Sequence, residues 1–524
     1  MKKQLPGHII RILSLLMVVY YLFLSWVTHR AGFDHSESLF LSEKLRLLFE
    51  TDEQTLLILG TTFPSIPFLT SILFSPLGYL FAPIACSILF TVLLFYFILM
   101  DFNEDSSFSP RLFLPIVLII FILHPGIIYS ATSGRSNAAS FFFFYMVYRS
   151  FFKFYQTQTS FYLSMSSIFL SCLIFCNFNF IWLLIAFFPF IVLVSLEGLK
   201  ISKDQPPMNQ YFEAINIRSQ RRKLTNRTVA IYIVIFMLPF GAAGLFYYLN
   251  NTHAANGVYF LSSQYANWRV TGLDFIDGLL EQFADTNLRY QTQLVIQGYA
   301  LLLTPLLIGT LFFFRGKLYE TFTIISPFIW MSVILLSARY YLTIEYYLFL
   351  LILAFAVLIF KISNRYKKGV LYPVLIIATV LNIGTGILYF KRTNDVLETQ
   401  FYSVLTNSKT WFEARTESEN ARIARFINEI ADEGNKVLLD DAAAYTIVPY
   451  LESLKKVVLP LQESFVTVVE NPPLGARYMV VAKRVNKLHN YTVLNAYNLA
   501  LMQKRINLQP LMLLETDNWI VYSM

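Results

Sequence analysis

The sequence predicts a polytopic α-helical membrane protein that carries a small α/β domain after its last membrane helix. Of its 524 residues, 56% are hydrophobic and only 14% are charged, whereas soluble globular domains have nearer a quarter charged residues. Several segments run for about 18 or more apolar residues with few or no charges, which is the length that a helix needs to cross the hydrocarbon core of a bilayer. The composition changes after about residue 390, where short apolar runs alternate with helical patterns.

The apolar segments predict about eleven membrane-spanning helices within residues 1–389. Their expected positions are 9–27, 79–100, 111–129, 137–152, 161–177, 180–197, 228–249, 294–314, 320–337, 345–361 and 370–389. The first segment, "HIIRILSLLMVVYYLFLSWV", is too long for the apolar core of a signal peptide and lacks a small-residue cleavage site. We therefore expect a retained signal anchor.

Lys and Arg in the connections between spans predict the orientation, because cytoplasmic loops are enriched in them. The basic connections carry Lys2, Lys3, Arg11, Arg149, Lys153, Lys200, Lys203, Arg218, Arg221, Arg222, Lys223, Arg227, Arg315, Lys317, Lys361, Arg365, Lys367 and Lys368. The acidic "DFNEDSSFSPR" is placed on the same side, since the rule counts bases rather than net charge.

This orientation puts the N-terminus in the cytoplasm and makes loops 28–78 and 250–293 and the tail, residues 390–524, extracytoplasmic. It fits an integral protein of a bacterial inner (plasma) membrane. The positive-inside bias also accounts for the net charge of +8, so that charge does not indicate a nucleic-acid partner.

The tail is expected to form an extracytoplasmic α/β domain. "SENARIARFINEIADEG" has apolar residues at helical spacing and ends in a glycine that suits a helix C-cap. The runs "KVLLDD", "KKVVLP", "RYMVVAK", "LMLLET" and "NWIVYS" read as strands, and "AAAYTIVPYLES" and "YTVLNAYNLALMQKR" read as helices. This alternation predicts a largely parallel sheet.

Two acids, Asp34 and Glu37, follow the first span directly. In a helix, their i, i+3 spacing would put both carboxylates on one face, whereas in a solvated juxtamembrane loop they would be unremarkable. Downstream, "ESLFLSEKLRLLF" is amphipathic and is expected to lie in the membrane interface. The Pro-punctuated "FPSIPFLTSILFSPLG" is expected to be a second interfacial or re-entrant element. Together these pieces would hold the acids at headgroup depth, where a lipid-linked substrate would be met.

A second polar cluster, "HPGIIYSATSGRSNAAS", contains His124, Tyr129, Arg135 and Asn137. It is either a polar interfacial turn or an arginine fork that holds a phosphate. His124 is expected to be packed or hydrogen-bonded rather than to bind a metal, because one histidine does not make a metal site.

Two further segments put aromatic and charged residues at the same side of the membrane. They contribute Arg339, Tyr340, Tyr341, Glu345, Tyr265, Trp268 and Arg269. Arg339 is expected either to pair with Glu345 or to meet an anionic headgroup. The tyrosines and Trp268 could contact sugar or lipid, or they could simply anchor the chain at the interface.

The order of these features resembles the GT-C superfamily of membrane glycosyltransferases, in particular the branch of the lipid A aminoarabinose transferases and the protein O-mannosyltransferases. "DHSESLFLSEKL" is similar to the acidic loop motif of that branch, and "FPSIPFLTSILFSPLG" stands where the branch has a Pro-Pro-Leu-Tyr-like segment. "IIYSATSGRSNAAS" resembles its Tyr-(Ala/Ser)-Arg-x-Gly-Arg-x-Asp-Ala segment, and the tail with "KVLLDDAAAY" is similar to its extracytoplasmic α/β domain.

The resemblance implies transfer of a sugar from a polyprenyl-phosphate donor to an extracytoplasmic acceptor, with inversion at the anomeric carbon. It implies that Asp34 or Glu37 is the general base and that Arg135 and Arg339 hold the departing phosphate. Contacts to substrate or lipid would come from Tyr129, Asn137, Tyr340, Tyr341, Trp268 and Arg269. A divalent cation, Mg²⁺ or Mn²⁺, held by the two acids stays open.

Two other functions stay open at this stage: a flippase for lipid-linked saccharides and a non-catalytic membrane scaffold or accessory subunit. Transporters usually place ionisable residues near the bilayer midplane, whereas these acids and arginines are predicted at one interface. The pattern therefore favours an enzyme.

Overall fold

The computed structural model describes residues 5–51, 54–104, 110–199, 207–272, 295–337, 344–362, 368–393, 395–407, 411–412, 417–472, 475–495 and 511–524. Up to the tail, the described residues fold as helices. These are Gly7–Arg30, Ser36–Glu50, Thr55–Thr61, Ser65–Phe74, Ala82–Glu104, Pro110–Leu123, Pro125–Thr132, Asn137–Thr157, Ser160–Cys176, Leu183–Glu197, Pro207–Asn216, Arg218–Ala254, Tyr259–Ser262, Trp268–Gly272, Val295–Leu302, Pro305–Phe312, Leu318–Ser337, Ile344–Phe360 and Lys368–Arg392. The tail adds Val396–Thr406, Glu419–Ile430, Asp441–Ala444 and Phe465–Glu470.

Five of the described helices are long and apolar enough to span a membrane, and the number rises to eight if each sharply bent helix pair counts as one span. The bends fall beside prolines in two pairs: 62° before Pro125 and 82° before Pro305, as expected where a residue lacks a backbone N–H. Ser160–Cys176 and Ile344–Phe360 are apolar but shorter. The chain is an integral membrane protein, and eleven spans remains a prediction.

Polar contacts bring the basic connections together at one end of the helix bundle, here called the basic end. The contacts are Leu5 with Asn103, Asp101 with Arg149 and Lys153, Arg227 with Gly198 and Gln158, Lys317 with Glu197, and Lys361 with Glu320. The segment between the helices Gly7–Arg30 and Ala82–Glu104 lies with the tail at the opposite end, here called the tail end.

Asp101 fixes the acidic connection to the basic end. Its carboxylate is fully buried and accepts hydrogen bonds from the Tyr145 hydroxyl at 2.8 Å and from Nε of Arg149 at 2.5 Å. Nζ of Lys153 lies 3.3 Å from its other oxygen. A buried carboxylate is retained when cations and donors surround it, so the acid at the start of "DFNEDSSFSPR" pairs with the neighbouring basic connection.

The tail contains a five-stranded sheet, as its alternating pattern predicts. The strands are β1 Val437–Leu438, β2 Val457–Val458, β3 Tyr478–Ala482, β4 Leu511–Glu515 and β5 Trp519–Ser523, in the order β2-β1-β3-β5-β4. β2, β1 and β3 are parallel, but β5 is antiparallel to both β3 and β4. The sheet is therefore mixed, because the short turn around Asn518 returns β5 alongside β4. Most of the predicted helix "YTVLNAYNLALMQKR" lies outside the described residues.

The helix Ser36–Glu50 does not lie in the membrane interface as an amphipathic surface helix. Every residue from Glu37 to Leu47 is buried, including Glu43, Lys44 and Arg46. The tail covers the polar face: Nζ of Lys44 lies 3.4 Å from Asp441, and Nη1 of Arg46 donates to the backbone carbonyls of Val448, at 2.9 Å, and Leu451. The sequence prediction was wrong here because these partners are about 400 residues away along the chain.

The end of β1 carries a carboxylate whose ionisation opposes folding. Asp440 accepts hydrogen bonds from the backbone N–H of Ala442 at 3.0 Å and of Val493 at 2.7 Å. Burial, together with the adjacent Asp441, raises the pKa of Asp440 from 3.8 to about 6. Because the folded value lies above the unfolded one, the contribution of Asp440 to stability is present below about pH 4 and is lost as pH rises through 6.

We expect the purified protein to unfold at a lower temperature at pH 7.5 than at pH 5, and Asp440→Asn to reduce that difference. Ionisation of this carboxyl lowers the free energy of unfolding by an amount on the order of 2 kcal/mol. Thermal unfolding at both pH values, in the same detergent, measures it. Equal pH dependence in the wild type and in Asp440→Asn would contradict the assignment.

Candidate active site

Glu37 connects the first loop to the turn before the helix Asn137–Thr157. It lies in the first turn of Ser36–Glu50, and its side chain is fully buried. Oε1 accepts a hydrogen bond from the backbone N–H of Ser136 at 3.1 Å, while Oε2 lies 3.7 Å from Nε of Arg135. Glu37 therefore places a negative charge at the N-terminus of a long helix, where the helix dipole favours it.

Arg135 leads from Glu37 into a chain of alternating charges. Its Nη2 donates to Oε1 of Glu345 at 3.1 Å, and Nη2 of Arg269 lies 3.6 Å from the same oxygen. Nη1 of Arg269 is 3.5 Å from Oδ1 of Asn177. Two glutamates and two arginines thus form one network, here called the charge network, which joins four separate segments at the tail end of the bundle.

Aromatic rings line the charge network. The guanidinium of Arg135 lies 5.3 Å from the ring centre of Tyr129, and that of Arg269 lies 5.8 Å from the ring of Trp268. The His35 ring lies between them, with ring centres 5.9 Å from Tyr129 and 6.0 Å from Trp268. Cations over aromatic faces gain electrostatic attraction, which increases when water is excluded.

Asp34 precedes the first-loop helix and belongs to a different set of contacts. Nδ1 of His29 donates to its Oδ1 at 2.6 Å, and the hydroxyl of Tyr450, from the tail, donates to its Oδ2. The side chain of Asp34 is 12% exposed and that of His29 is 32% exposed. Because the helix begins at Ser36, Asp34 and Glu37 do not share a helical face; one turns to the tail and the other to the bundle.

Burial changes the acid–base properties around Glu37 in two ways. Desolvation raises the pKa of Glu37, and the charges of Arg135 and Arg269 with the hydrogen bond from Ser136 oppose that rise. Desolvation, with the positive charge of Arg135, lowers the pKa of His35 well below its usual value. His35 is therefore neutral, and its Nδ1 accepts the backbone N–H of Glu37 at 3.1 Å.

Most of the residues singled out from the sequence meet in this region. Tyr129, Arg135, Trp268, Arg269 and Glu345 belong to the charge network or its rings, while Asn137 is buried at the start of its helix with no partner for Nδ2 among the described residues. Glu345 pairs with Arg135 and Arg269. Arg339, Tyr340 and Tyr341 lie outside the described residues.

His124 lies apart from the network, at the bend before Pro125. It is fully buried 5.8 Å from the ring of Tyr347, and neither ring nitrogen has a hydrogen-bond partner among the described residues. The structure thus agrees with a packed His124 rather than with a hydrogen-bonded one.

Among the described residues, no group of three or more His, Cys, Asp or Glu side chains could hold a metal ion. Asp34 and Glu37 have separate partners, in His29 with Tyr450 and in Ser136 with Arg135.

Three contributors to the site were not predicted from the sequence: His29, His35 and Tyr450. His29 and His35 flank Asp34 in the chain, but only the turn at 31–35 shows that one binds Asp34 and the other caps Glu37. Tyr450 lies 416 residues from Asp34, and no periodicity reports a contact over that separation.

The chain is similar to solved structures along most of its length. It is 13% identical to ArnT from Cupriavidus metallidurans bound to undecaprenyl phosphate, with a TM-score of 0.49 and 97% of each chain covered. It is 12% identical to the apo state of the same ArnT, with a TM-score of 0.48 and 97% of each chain covered. A third structure is the archaeal oligosaccharyltransferase AglB from Archaeoglobus fulgidus in complex with an inhibitory peptide and a dolichol-phosphate. The chain is 11% identical to AglB, with a TM-score of 0.30, and the match covers 89% of this chain and 69% of AglB.

No family model matches the sequence, and no curated protein is similar enough to match it. At identities of 11–13%, residue roles do not transfer from those proteins to this chain.

Proposed function

We propose that this protein is a membrane glycosyltransferase that moves a sugar from a polyprenyl-phosphate donor to an acceptor at the tail end of the bundle. One observation carries the proposal: a partly exposed carboxylate, Asp34, stands three residues before Glu37, the first member of the charge network that holds Arg135 and Arg269. A base and fixed cations are what displacement of a phosphate leaving group requires. The motif resemblance names the same reaction.

Asp34 suits the role of general base better than Glu37. Asp34 retains access to solvent, and its two oxygens are held by one donor each, which leaves lone pairs to receive a proton. Glu37 is fully buried, and its Oε1 is occupied by Ser136. We assign Glu37 to holding Arg135 and the turn behind it.

The reaction follows from these assignments. The acceptor hydroxyl or amine attacks the anomeric carbon from the face opposite the phosphate, and Asp34 takes the acceptor's proton. The bond between the anomeric carbon and the phosphate oxygen breaks, and the electron pair leaves with the polyprenyl phosphate. One displacement inverts the anomeric configuration.

Arg135 and Arg269 would stabilise the negative charge that grows on the leaving phosphate. Both guanidinium groups already share Oε1 of Glu345, so their positions are fixed before substrate binds. A planar guanidinium offers several N–H groups, and Nε of Arg135 donates to no partner among the described residues. Preorganised donors of this kind need no reorganisation during reaction.

The aromatic surfaces would receive the sugar and the lipid. Trp268 and Tyr129 lie beside the two arginines, and rings with a polar edge suit both a sugar face and a headgroup. Asn137 lies in the same turn as Arg135 and has an unpaired Nδ2 among the described residues. We propose these three as substrate or lipid contacts.

A scaffold and a flippase are the competing functions, and one comparison separates them from an enzyme. The protein in nanodiscs is incubated with polyprenyl-phosphate-linked pentoses and hexoses and with a membrane extract that supplies acceptors, and release of polyprenyl phosphate is measured. We expect release by the wild type and none by Asp34→Asn/Glu37→Gln at matched expression. Full release by the double variant would contradict the mechanism. Lipid translocation without release by either protein would favour a flippase.

A further inference from the structure

We propose that the tail supplies a positioning residue to the active site: Tyr450 fixes the orientation of the Asp34 carboxylate. The inference rests on the proposed function, because it concerns the base of that reaction. It further implies that the tail contributes a residue to the active site.

The contact pattern around Asp34 supports an orienting role. The carboxylate has two oxygens, and each accepts from a different side: Oδ1 from His29 in the first helix, and Oδ2 from Tyr450 in the tail. With one donor on each oxygen, the carboxylate plane cannot rotate about its last side-chain bond without breaking a hydrogen bond. If the Tyr450 donor is removed, only one of the two oxygens stays fixed.

Tyr450 itself is held at Asp34 by contacts on both sides of it in the chain. Arg46 donates to the carbonyls of Val448 and Leu451, the residues two before and one after Tyr450. Arg46 also forms a bidentate pair with Glu50, at 2.8 and 2.7 Å. The carboxylate of Glu50 accepts the backbone N–H of Leu454 at 3.1 Å. These bonds fasten the segment 448–454 to the first-loop helix.

Apolar contacts also fix the position of the tail relative to the first-loop helix. Phe40 and Leu45 of the first-loop helix belong to one continuous core with Val437, Ile447 and Trp519 of the tail. A shared core makes the position of the tail relative to the first loop part of folding. The geometry of Asp34 is therefore set by docking of the tail, and not by the first loop alone.

Tyr450→Phe tests the inference, because it removes the hydroxyl and keeps the ring. We expect the turnover rate to fall about tenfold, since misplacement of a reacting group by about 1 Å can cost about 10²-fold and the remaining His29 donor limits the displacement. The apparent KM for the lipid-linked donor should stay near the wild-type value. Tyr522→Phe is the matched control: it removes a tail hydroxyl from β5, on the smaller core around Leu438, and should leave turnover unchanged.

Two readouts separate positioning from loss of structure. The first is the split between turnover and KM: removal of one of the two donors to Asp34, which are His29 and Tyr450, should lower turnover and leave the apparent KM for the donor unchanged. Hydrogen exchange of residues 31–36 should rise in Tyr450→Phe and in Asp34→Asn, but not in Tyr522→Phe, while the exchange of β1 and β3 stays at its wild-type rate.

Unchanged exchange in residues 31–36 would overturn the inference, as would wild-type turnover in Tyr450→Phe. A wild-type protein that transfers no sugar would overturn the proposed function instead. The exchange measurement would then still decide whether Tyr450 holds the Asp34 segment.

Discussion

Asp34→Asn is expected to lower sugar transfer by roughly 10²- to 10⁴-fold, the range associated with loss of a general base. The amide has the shape of the carboxylate and can still accept a hydrogen bond from Tyr450 or His29, but it cannot take a proton from the acceptor. Donor binding should persist, because the groups assigned to the phosphate, Arg135 and Arg269, pair with Glu345 and not with Asp34. Rates of polyprenyl phosphate release, with lipid binding measured separately, check this result.

Asp517→Asn is the control for that experiment. Asp517 is an exposed acid of the tail, so its neutralisation changes net charge equally and leaves the site alone. A transfer rate for Asp34→Asn within a few-fold of both the wild type and the control would remove Asp34 from the mechanism.

Glu37→Ala is expected to reduce stability on the order of 3 kcal/mol. Removal of one member of a buried ion pair leaves the charge of its partner unpaired. The change also leaves the buried backbone N–H of Ser136 without its acceptor. Thermal unfolding in detergent micelles, monitored at constant pH and detergent, should show a lower midpoint for the variant.

Glu37→Gln serves as the graded control, because its amide oxygen can still accept the Ser136 N–H while the charge opposite Arg135 is lost. We expect its unfolding midpoint to fall between those of the wild type and Glu37→Ala. If the alanine variant unfolds with the wild-type midpoint, Glu37 does not hold the turn at Arg135, and the division of roles between the two acids is wrong.

Local patterns in the sequence predicted much of the fold. The strand runs from "KVLLDD" to "NWIVYS" contain the five strands of the tail sheet, because β-branched and apolar residues between turn residues determine strands locally. Apolar length predicted membrane helices, but Pro125 and Pro305 follow sharp bends within what was expected to be single spans. Span count is therefore less predictable than helix content.

The site was predictable where residues occur in one motif and unpredictable where distant segments meet. The acids and Arg135 stood out because polar groups at the ends of apolar runs are costly unless they are used. The burial of Lys44 and Arg46 was missed, since the face looked solvated until the tail supplied Asp441 and the carbonyls near Tyr450. Long-range packing, rather than local propensity, decided which face of the first-loop helix was buried.

In the proposed mechanism, the charge network beside Asp34 receives the phosphate of a polyprenyl-phosphate donor. The most direct measurement is a cryo-electron microscopy map of the protein in nanodiscs with a polyprenyl phosphate added. We expect phosphate density at the tail end, within hydrogen-bonding distance of Arg135 or Arg269 and next to the Asp34 turn. Phosphate density at the basic end, near Arg149 and Lys153, with the charge network unliganded, would contradict it.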